Sequence, residues 1–313
     1  MTERTASQIE NMKKQTIGVE IEMNNITRRE AAKIAAGFFG TNRYEDTAHR
    51  NGYCTWSAWD AQEREWKFQR DVSIHGDDQH KCELVTPILH DNDIETLQEL
   101  CRRLRKAGAK SDATRGCGVH IHIGADGHTP QTLRNLANLM ASHENLLIDA
   151  IGIDQGRTNR YCRTVDPAFI EAINKKKPTT MDQLADIWYK ANGADYGRTQ
   201  HYNSSRYHQL NLHATFTKGT IEFRLFEFEA PKGGKKNGIH AGRLKAYIQL
   251  CLALSQMALD AKTASPKPQQ TQNPKFAMRT WLLRMGFIGE EFATAREVLT
   301  RNLEGDTAFR FGR

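Results

Sequence analysis

Residues 118–124 read Gly-Val-His-Ile-His-Ile-Gly and alternate apolar residues with histidines. Successive side chains of a β-strand point to opposite faces, so this alternation predicts a strand with one apolar face and one face that carries His120 and His122. Glycines bracket the stretch, and glycine beside a strand lets a ligand or another backbone come close. The segment therefore predicts a buried strand with a functional polar face.

Two further segments, Thr16–Met23 and Thr220–Leu225, alternate in the same way. In each of them the apolar side chains lie on one face of the strand and a pair of ionisable side chains lies on the other. The ionisable residues are Glu20, Glu22, Glu222 and Arg224. Three such strands predict one sheet with an apolar back and a wet, chemically active front.

The composition is that of an ordinary globular protein, with 39% hydrophobic and 26% charged residues in a chain of 313. The most apolar stretch, Tyr247–Leu259, is too short to span a bilayer. The first residues lack the apolar run of a secretory signal, so we expect a cytoplasmic protein without a membrane partner.

Six cysteines occur without a Cys-x-x-Cys pair, which predicts reduced thiols and argues against a cysteine zinc site. The net charge of +7 favours anionic ligands, although solubility alone explains so mild an excess. Part of the charge lies in two lysine-rich stretches, 175–177 and 232–236, which are typical of solvated turns.

Apolar periodicity and capping residues predict the remaining elements. The predicted strands are Thr16–Met23, Glu65–Ile74, Lys81–Thr86, Gly118–Gly124, Tyr207–Phe216 and Thr220–Leu225, the last two forming a hairpin at Lys218-Gly219. The predicted helices start after Thr27, Asp93 and Thr129 or span Met181–Ala191, Ile239–Ala261, Phe276–Met285 and Glu290–Asn302.

These elements predict a catalytic domain over residues 1–262. Within it, residues 152–205 carry little strand signal and are interpreted as an insertion or lid. Residues 263–274 are polar and rich in proline, which is typical of a linker, and residues 275–313 then form a helical appendage.

Carboxylates and an imidazole that converge on one face cannot remain together without cations. Hard oxygen ligands suit Mg²⁺ or Mn²⁺, and an arginine on the same face would stabilise charge on a transferred phosphoryl group. Each pattern also has a simpler explanation when taken alone. Glu-x-Glu is typical of an exposed strand, His-x-His of a zinc pair, and Glu-x-Arg of a surface ion pair.

Five ordered motifs resemble those of the amidoligase family, carboxylate–amine ligases related to glutamine synthetase and glutamate–cysteine ligase. They are Gly-Val-Glu-Ile-Glu (18–22), Cys-Glu-Leu-Val-Thr-Pro (82–87), Gly-Cys-Gly-Val-His-Ile-His-Ile-Gly (116–124), Arg-Tyr-His-Gln-Leu-Asn-Leu (206–212) and Thr-Ile-Glu-Phe-Arg (220–224). The resemblance covers roughly residues 15–260.

The resemblance implies an α+β fold, with a curved, mostly antiparallel, glutamine-synthetase-like sheet backed by α-helices. It also implies ATP and two or three divalent cations, Mg²⁺ or Mn²⁺. The implied metal ligands are Glu20, Glu22, Glu83, His120 and Glu222. The implied catalytic residues are Arg224 and Glu222, and the implied nucleotide- or substrate-binding residues are His122, Asn211, Arg206 and Tyr207.

One departure from the family pattern concerns the middle strand, where only Glu83 is evident as an acidic ligand. Asp71 is the candidate to replace a missing ligand or to take the proton of the amine. Four arginines of the insertion are candidates to hold an anionic substrate, namely Arg157, Arg160, Arg163 and Arg198.

The resulting hypothesis is an ATP-dependent ligase that joins a small-molecule or peptide carboxylate to an amine through an acyl phosphate. A zinc-dependent hydrolase or phosphotransferase using His120 and His122 is the alternative enzyme. A nucleic-acid-binding protein is the non-enzymatic alternative, suggested by the charge and by tryptophans 56, 59 and 66. A nucleic-acid-linked substrate also stays open.

Overall fold

The computed structural model describes residues 3–230, 238–268 and 270–308, and these form an α+β fold with eight strands and eleven α-helices. The strands are β1 (Ile17–Met23), β2 (Tyr44–Asp46), β3 (Trp56–Trp59), β4 (Glu65–Gln69), β5 (Cys82–Val85), β6 (Val119–Gly124), β7 (Leu210–Asn211) and β8 (Thr220–Phe226). The helices are α1 (Glu3–Lys14), α2 (Arg28–Phe39), α3 (Ile94–Lys106), α4 (Pro130–Ile151), α5 (Gln155–Arg160), α6 (Pro167–Lys176), α7 (Met181–Ala191), α8 (His213–Lys218), α9 (Ala241–Asp260), α10 (Pro274–Arg284) and α11 (Ala293–Thr300).

The chain divides into two compact units. The first unit comprises Thr16–Ile121 and Phe226–Lys245, and the second comprises Met1–Gln15, His122–Leu225 and Ala246–Arg313. The division falls inside β6, so His120 belongs to the first unit and His122 to the second. The predicted insertion at residues 152–205 lies within the second unit.

In the first unit the strands follow the order β2-β3-β4-β5-β1, with the start of β6 beside β1. Each registered pair is antiparallel. The apolar face of this sheet includes Ile21, Phe68 and Leu84, each of them 0% exposed, and helix α2 packs against β3, β4 and α3. This burial fixes the face of the sheet on which the polar residues lie.

In the second unit β7 pairs antiparallel with β8, and the end of β6 follows β8 on its other side. The long helix α4 packs against α6 and α11, and α10 packs against α11. The Thr129 hydroxyl caps α4 by accepting a hydrogen bond from the backbone N–H of Thr132, as predicted from the Thr-Pro pair.

Most predicted elements are confirmed within one or two residues. Thr27 caps α2 by accepting from the backbone N–H of Glu30 (3.1 Å), and α3 buries the predicted apolar stripe. Helix α7 has the predicted limits, and the lysines at 175–177 are exposed. The second lysine-rich stretch, 232–236, lies outside the described residues.

Of the predicted strand Tyr207–Phe216, only Leu210 and Asn211 form a strand. Residues 213–218 form α8, because the Asn211 side-chain oxygen accepts a hydrogen bond from the backbone N–H of His213 (2.9 Å) and provides the turn that starts a helix. Gly219, with φ of 70°, ends α8. β7 and β8 are therefore joined by a helix, and not by the predicted hairpin turn.

The predicted strand Glu65–Ile74 is also too long, since β4 ends at Gln69. The Asp71 carboxylate accepts hydrogen bonds from the backbone N–H and the hydroxyl of Ser73, both at 2.6 Å. This local Asx turn competes with the strand and stops it.

The two predicted C-terminal helices correspond to α10 and α11. Among the described residues, we find no helix with both the length and the apolar character needed to cross a membrane. The predicted domain limits at 262 and 274 stay predictions.

Candidate active site

Two buried carboxylates face each other in the sheet of the first unit. Glu22 on β1 lies opposite Glu83 on β5 in the antiparallel register, and they are 6% and 5% exposed. The backbone N–H of Gly118 donates to Glu22 Oε2 at 2.6 Å. Strand alternation brings Glu20 to the same face of β1, as the sequence predicted.

His120 joins these carboxylates from β6. Its Nδ1 lies 3.1 Å from Glu20 Oε2, and its side chain is buried. One ligand atom from each of Glu20, Glu83 and His120 lies within 4.8 Å of the others, and the same is true of Glu22, Asp71 and Glu83. Each of these two groups could hold one metal ion, and they share Glu83.

Burial raises the pKa of Glu83 well above its usual value, and the negative charges of neighbouring carboxylates raise the pKa further. These neighbours are Glu20, Glu22 and Asp71. A hydrogen bond from Gln69 Nε2 to Glu83 Oε2 (2.8 Å) only partly offsets this effect. Several carboxylates and one imidazole form a donor set that suits Mg²⁺ or Mn²⁺, because a divalent ion would offset the repulsion.

Glu222 is the centre of a second polar cluster, which lies in the second unit. Arg224 Nη1 donates to Glu222 Oε1 and Asn211 Nδ2 donates to Glu222 Oε2, both at 2.5 Å. His122 Nε2 lies 3.9 Å from Glu222 Oε1, while its Nδ1 lies 2.9 Å from the Thr220 hydroxyl. All of these residues except Thr220 are more than nine-tenths buried.

The predicted Arg206 and Tyr207 lie beside this cluster. The Arg224 guanidinium carbon lies 5.9 Å from the centre of the Tyr207 ring. Arg206 contacts the rings of Tyr202 and Tyr207 at 5.5 and 5.9 Å, and its Nη1 donates to the His201 carbonyl. The Arg-Tyr pair therefore forms a cation–aromatic surface next to Arg224.

The four arginines of the insertion differ in their surroundings. Arg157 is buried and donates from Nη2 to the carbonyl of Arg224 (3.3 Å). Arg198 contacts the carboxylates of Asp186 and Asp195, which neutralise its charge. Arg198 is therefore a poor candidate for the role of anion holder that the sequence suggested.

The sequence did not indicate His213 or Gln69 as part of either cluster. His213 lies between the Tyr189 hydroxyl (Nδ1, 2.7 Å) and the Gln200 carbonyl (Nε2, 3.0 Å), and burial lowers its pKa. It lines a small cavity that reaches Asn211 and Glu222. The structure places His213 in α8, and not in the predicted strand Tyr207–Phe216.

One comparison with known proteins agrees with the motifs. A family model described as "Putative amidoligase enzyme" matches residues 13–255. The crystal structure of a bifunctional glutathione synthetase from Pasteurella multocida is similar at 13% identity with a TM-score of 0.43. This similarity covers 96% of the chain but 49% of the synthetase, so the chain spans about half of that protein's length.

No curated protein sequence matches the chain significantly. The family match spans well over half of the sequence and includes every motif described above. The chain belongs to the amidoligase family.

Proposed function

We propose that this protein is an ATP-dependent carboxylate–amine ligase that forms an amide bond through an acyl phosphate. The observation that carries the proposal is that two clusters of potential metal ligands share the buried Glu83, in a member of the amidoligase family. Such a concentration of buried acids is costly unless a divalent ion binds there, and phosphoryl transfer is the chemistry that commonly uses such ions.

Glu20, Glu22, Glu83 and His120 are the residues that would hold Mg²⁺ or Mn²⁺ in the first unit, and Glu222 is the proposed ligand in the second. When bound, these ions reduce the repulsion between a carboxylate and the triphosphate of ATP. Asp71 completes one of the acidic groups and is the proposed replacement for the missing family ligand.

In the first step, a carboxylate oxygen of the substrate attacks the γ-phosphorus of ATP. The bond from that phosphorus to the bridging oxygen breaks, and ADP leaves. Arg224 would stabilise the negative charge that develops on the phosphoryl oxygens. Its guanidinium is held in place by Glu222, and Asn211 in turn holds the Glu222 carboxylate.

In the second step, a neutral amine attacks the carbonyl carbon of the acyl phosphate. Phosphate leaves and the nitrogen loses one proton to a base, for which Asp71 is the candidate. We propose that His122, Asn211, Arg206 and Tyr207 position the nucleotide or the substrate. This scheme needs no protein nucleophile, so positioning and electrostatics provide most of the acceleration.

The test is release of ADP in the presence of Mg²⁺, ATP, a pool of carboxylates and a pool of amines, followed by mass spectrometry of the product. We expect ADP release only when both pools are present, and we expect chelators to abolish it. ADP release that is independent of the amine pool, or the absence of any product with a new amide, would contradict the proposal.

Glu222→Gln tests the site within this assay. The substitution keeps the shape of the side chain but removes its charge, so we expect at least a roughly 100-fold loss of ADP release with an unchanged circular dichroism spectrum. Glu171→Gln, an exposed residue of α6, is the matched control and should retain wild-type activity. Near-normal turnover of Glu222→Gln would remove Glu222 from the site.

The same preparation distinguishes the alternatives. A zinc-dependent hydrolase would retain tightly bound zinc after purification and would act without ATP. A nucleic-acid-binding protein would bind DNA in a strongly salt-dependent manner without ATP turnover.

A further inference from the structure

We infer that Gln209 is a substrate-binding residue whose side-chain amide recognises an α-amino acid beside Arg224. The inference rests on the proposed function, since it names the class of substrate for the same site. The observation behind it is a buried amide that has no hydrogen-bond partner in the described part of the chain.

Gln209 lies directly opposite Arg224. In the register of β7 and β8, Asn211 is opposite Glu222, and the backbone N–H of Arg224 donates to the carbonyl of Gln209 (2.9 Å). Two residues to either side, Asn211 contacts Glu222 and Tyr207 contacts Arg224 through their side chains. Gln209 directly precedes β7 and lies opposite Arg224, and side chains of directly opposite residues in an antiparallel pair lie on the same face, so the Gln209 side chain lies on the polar face.

The Gln209 amide is fully buried and unsatisfied. The residue is 0% exposed, and neither Oε1 nor Nε2 has a hydrogen-bond partner among the residues that the structure describes. The neighbouring amide of Asn211 uses both of its polar atoms, to Glu222 and to the His213 backbone. A buried amide without a partner lowers stability, so its retention in a polar cluster indicates a ligand that satisfies it.

The chemistry of the ligand follows from the two atoms. Gln209 offers one donor group and one acceptor side by side, next to the guanidinium of Arg224. An α-amino acid is complementary, because its carboxylate accepts from Nε2 while its ammonium donates to Oε1. A ligand that lacks the amino group would leave Oε1 unsatisfied, so the amide would discriminate against it.

The experiment measures binding separately from catalysis. Each of the twenty L-amino acids is titrated by calorimetry into the protein with Mg²⁺ and a non-hydrolysable ATP analogue. We expect at least one to bind, and we expect Gln209→Met to weaken that binding by 10-fold or more while the affinity for the analogue is unchanged. The carboxylic acid that lacks the amino group should bind the wild type more weakly than the amino acid does, and Gln209→Met should weaken its binding less than it weakens that of the amino acid.

Stability distinguishes this role from a structural one. Because Gln209→Met removes an unsatisfied amide, its thermal midpoint should equal or exceed that of the wild type. The matched control is Gln98→Met, since buried Gln98 donates from Nε2 to the Ala241 carbonyl (2.7 Å); it should lose stability and keep amino-acid affinity.

Three results would overturn the inference: unfolding or a lower midpoint of Gln209→Met, no amino acid binding to the wild type, or equal affinity of wild type and variant. ADP release reports on the proposed function independently. Amino-acid binding that depends on Gln209 without ADP release would refute the proposed ligase and leave the inference standing. ADP release that is unaffected by Gln209→Met would refute the inference and leave the proposed ligase standing.

Discussion

The surroundings of Glu83 disfavour its negative charge. The residue is 5% exposed, and three further carboxylates raise its pKa together with burial. Because the folded protein binds a proton at Glu83 more tightly than the unfolded chain does, this residue contributes less stability as the pH rises through its raised pKa. A bound cation would reverse that penalty.

Glu83→Gln tests this balance. In EDTA at pH 8 we expect the variant to unfold at a higher temperature than the wild type, because a neutral amide replaces a repelled carboxylate. With Mn²⁺ at 100 times its Kd, the wild type should gain about 2.7 kcal/mol and the variant much less. An equal response of both proteins to Mn²⁺ in thermal unfolding would exclude Glu83 as a ligand.

Strand alternation alone predicted that Glu20 and Glu22 share one face of β1 and that His120 lies on the polar face of β6, since period two is a local property of the chain. The contacts of Gln69 with Glu83 and of Tyr189 with His213 could not be predicted. These pairs depend on which strands and helices become neighbours, which a single sequence does not specify.

At the scale of elements, the sequence predicted the segments that have strong caps. Thr27 and Thr129 cap helices where expected, and α3 begins after Asp93 as predicted, although the Asp93 side chain does not cap it. Two predicted strands were too long because a side chain bonds its own backbone, at Asp71 and at Asn211. Short polar side chains of this kind compete with the sheet. Strands β2 and β3 and helices α1, α5 and α6 were not predicted at all.

Gly219→Ala tests the end of α8. Gly219 has φ of 70°, and an added Cβ would meet no atom within 4 Å, so the cost is purely conformational and should be about 1 kcal/mol. Gly37→Ala in α2 is the matched control, because Gly37 has ordinary helical geometry and an open surface position. It should stabilise the protein by about 0.5–1 kcal/mol in urea unfolding. Equal effects of the two substitutions would contradict this account.

Glu144 on α4 provides a pH-dependent contact. Burial raises its pKa to about 7, and its Oε2 accepts from the backbone N–H of Val165 (2.9 Å). Between its unfolded pKa near 4.5 and about 7, the folded state holds a proton that the unfolded chain has lost, so stability falls as the pH rises through this window.

Glu144→Gln should therefore match the wild type near pH 4.5 and exceed its stability by about 3 kcal/mol at pH 8. The amide oxygen keeps the bond from Val165, so the difference reports the charge. Urea unfolding at both pH values measures the effect, with exposed Glu171→Gln as the control. A difference that is the same at both pH values would refute the assignment.

For the whole molecule, composition predicted reduced thiols, and all six cysteines are free. Cys54 is exposed and the other five are buried. We expect iodoacetamide to label one thiol of the native protein and six after denaturation, as measured by intact mass. Rapid labelling of two or more native thiols would show that the buried cysteines are more accessible than the structure indicates.

The two compact units could not be predicted from composition. The polar, proline-rich stretch at 263–274 is visible in the sequence, whereas the division inside β6 follows from long-range contacts. Each unit is built from discontinuous segments, because the chain leaves the first unit after Ile121 and returns to it at Phe226. Apolar periodicity and capping residues are local patterns, so they cannot predict that the chain returns to the first unit.

The sharing of Glu83 between two acidic groups has a consequence for how the protein would meet a changing supply of divalent ions. The first ion to bind would offset the charge of a carboxylate that the second group also uses, so it would weaken the attraction for the second ion. The two ions would then bind with different affinities. As the divalent-ion concentration falls, the weakly bound ion would dissociate first and the tightly bound ion later, so the protein would respond to depletion in two stages.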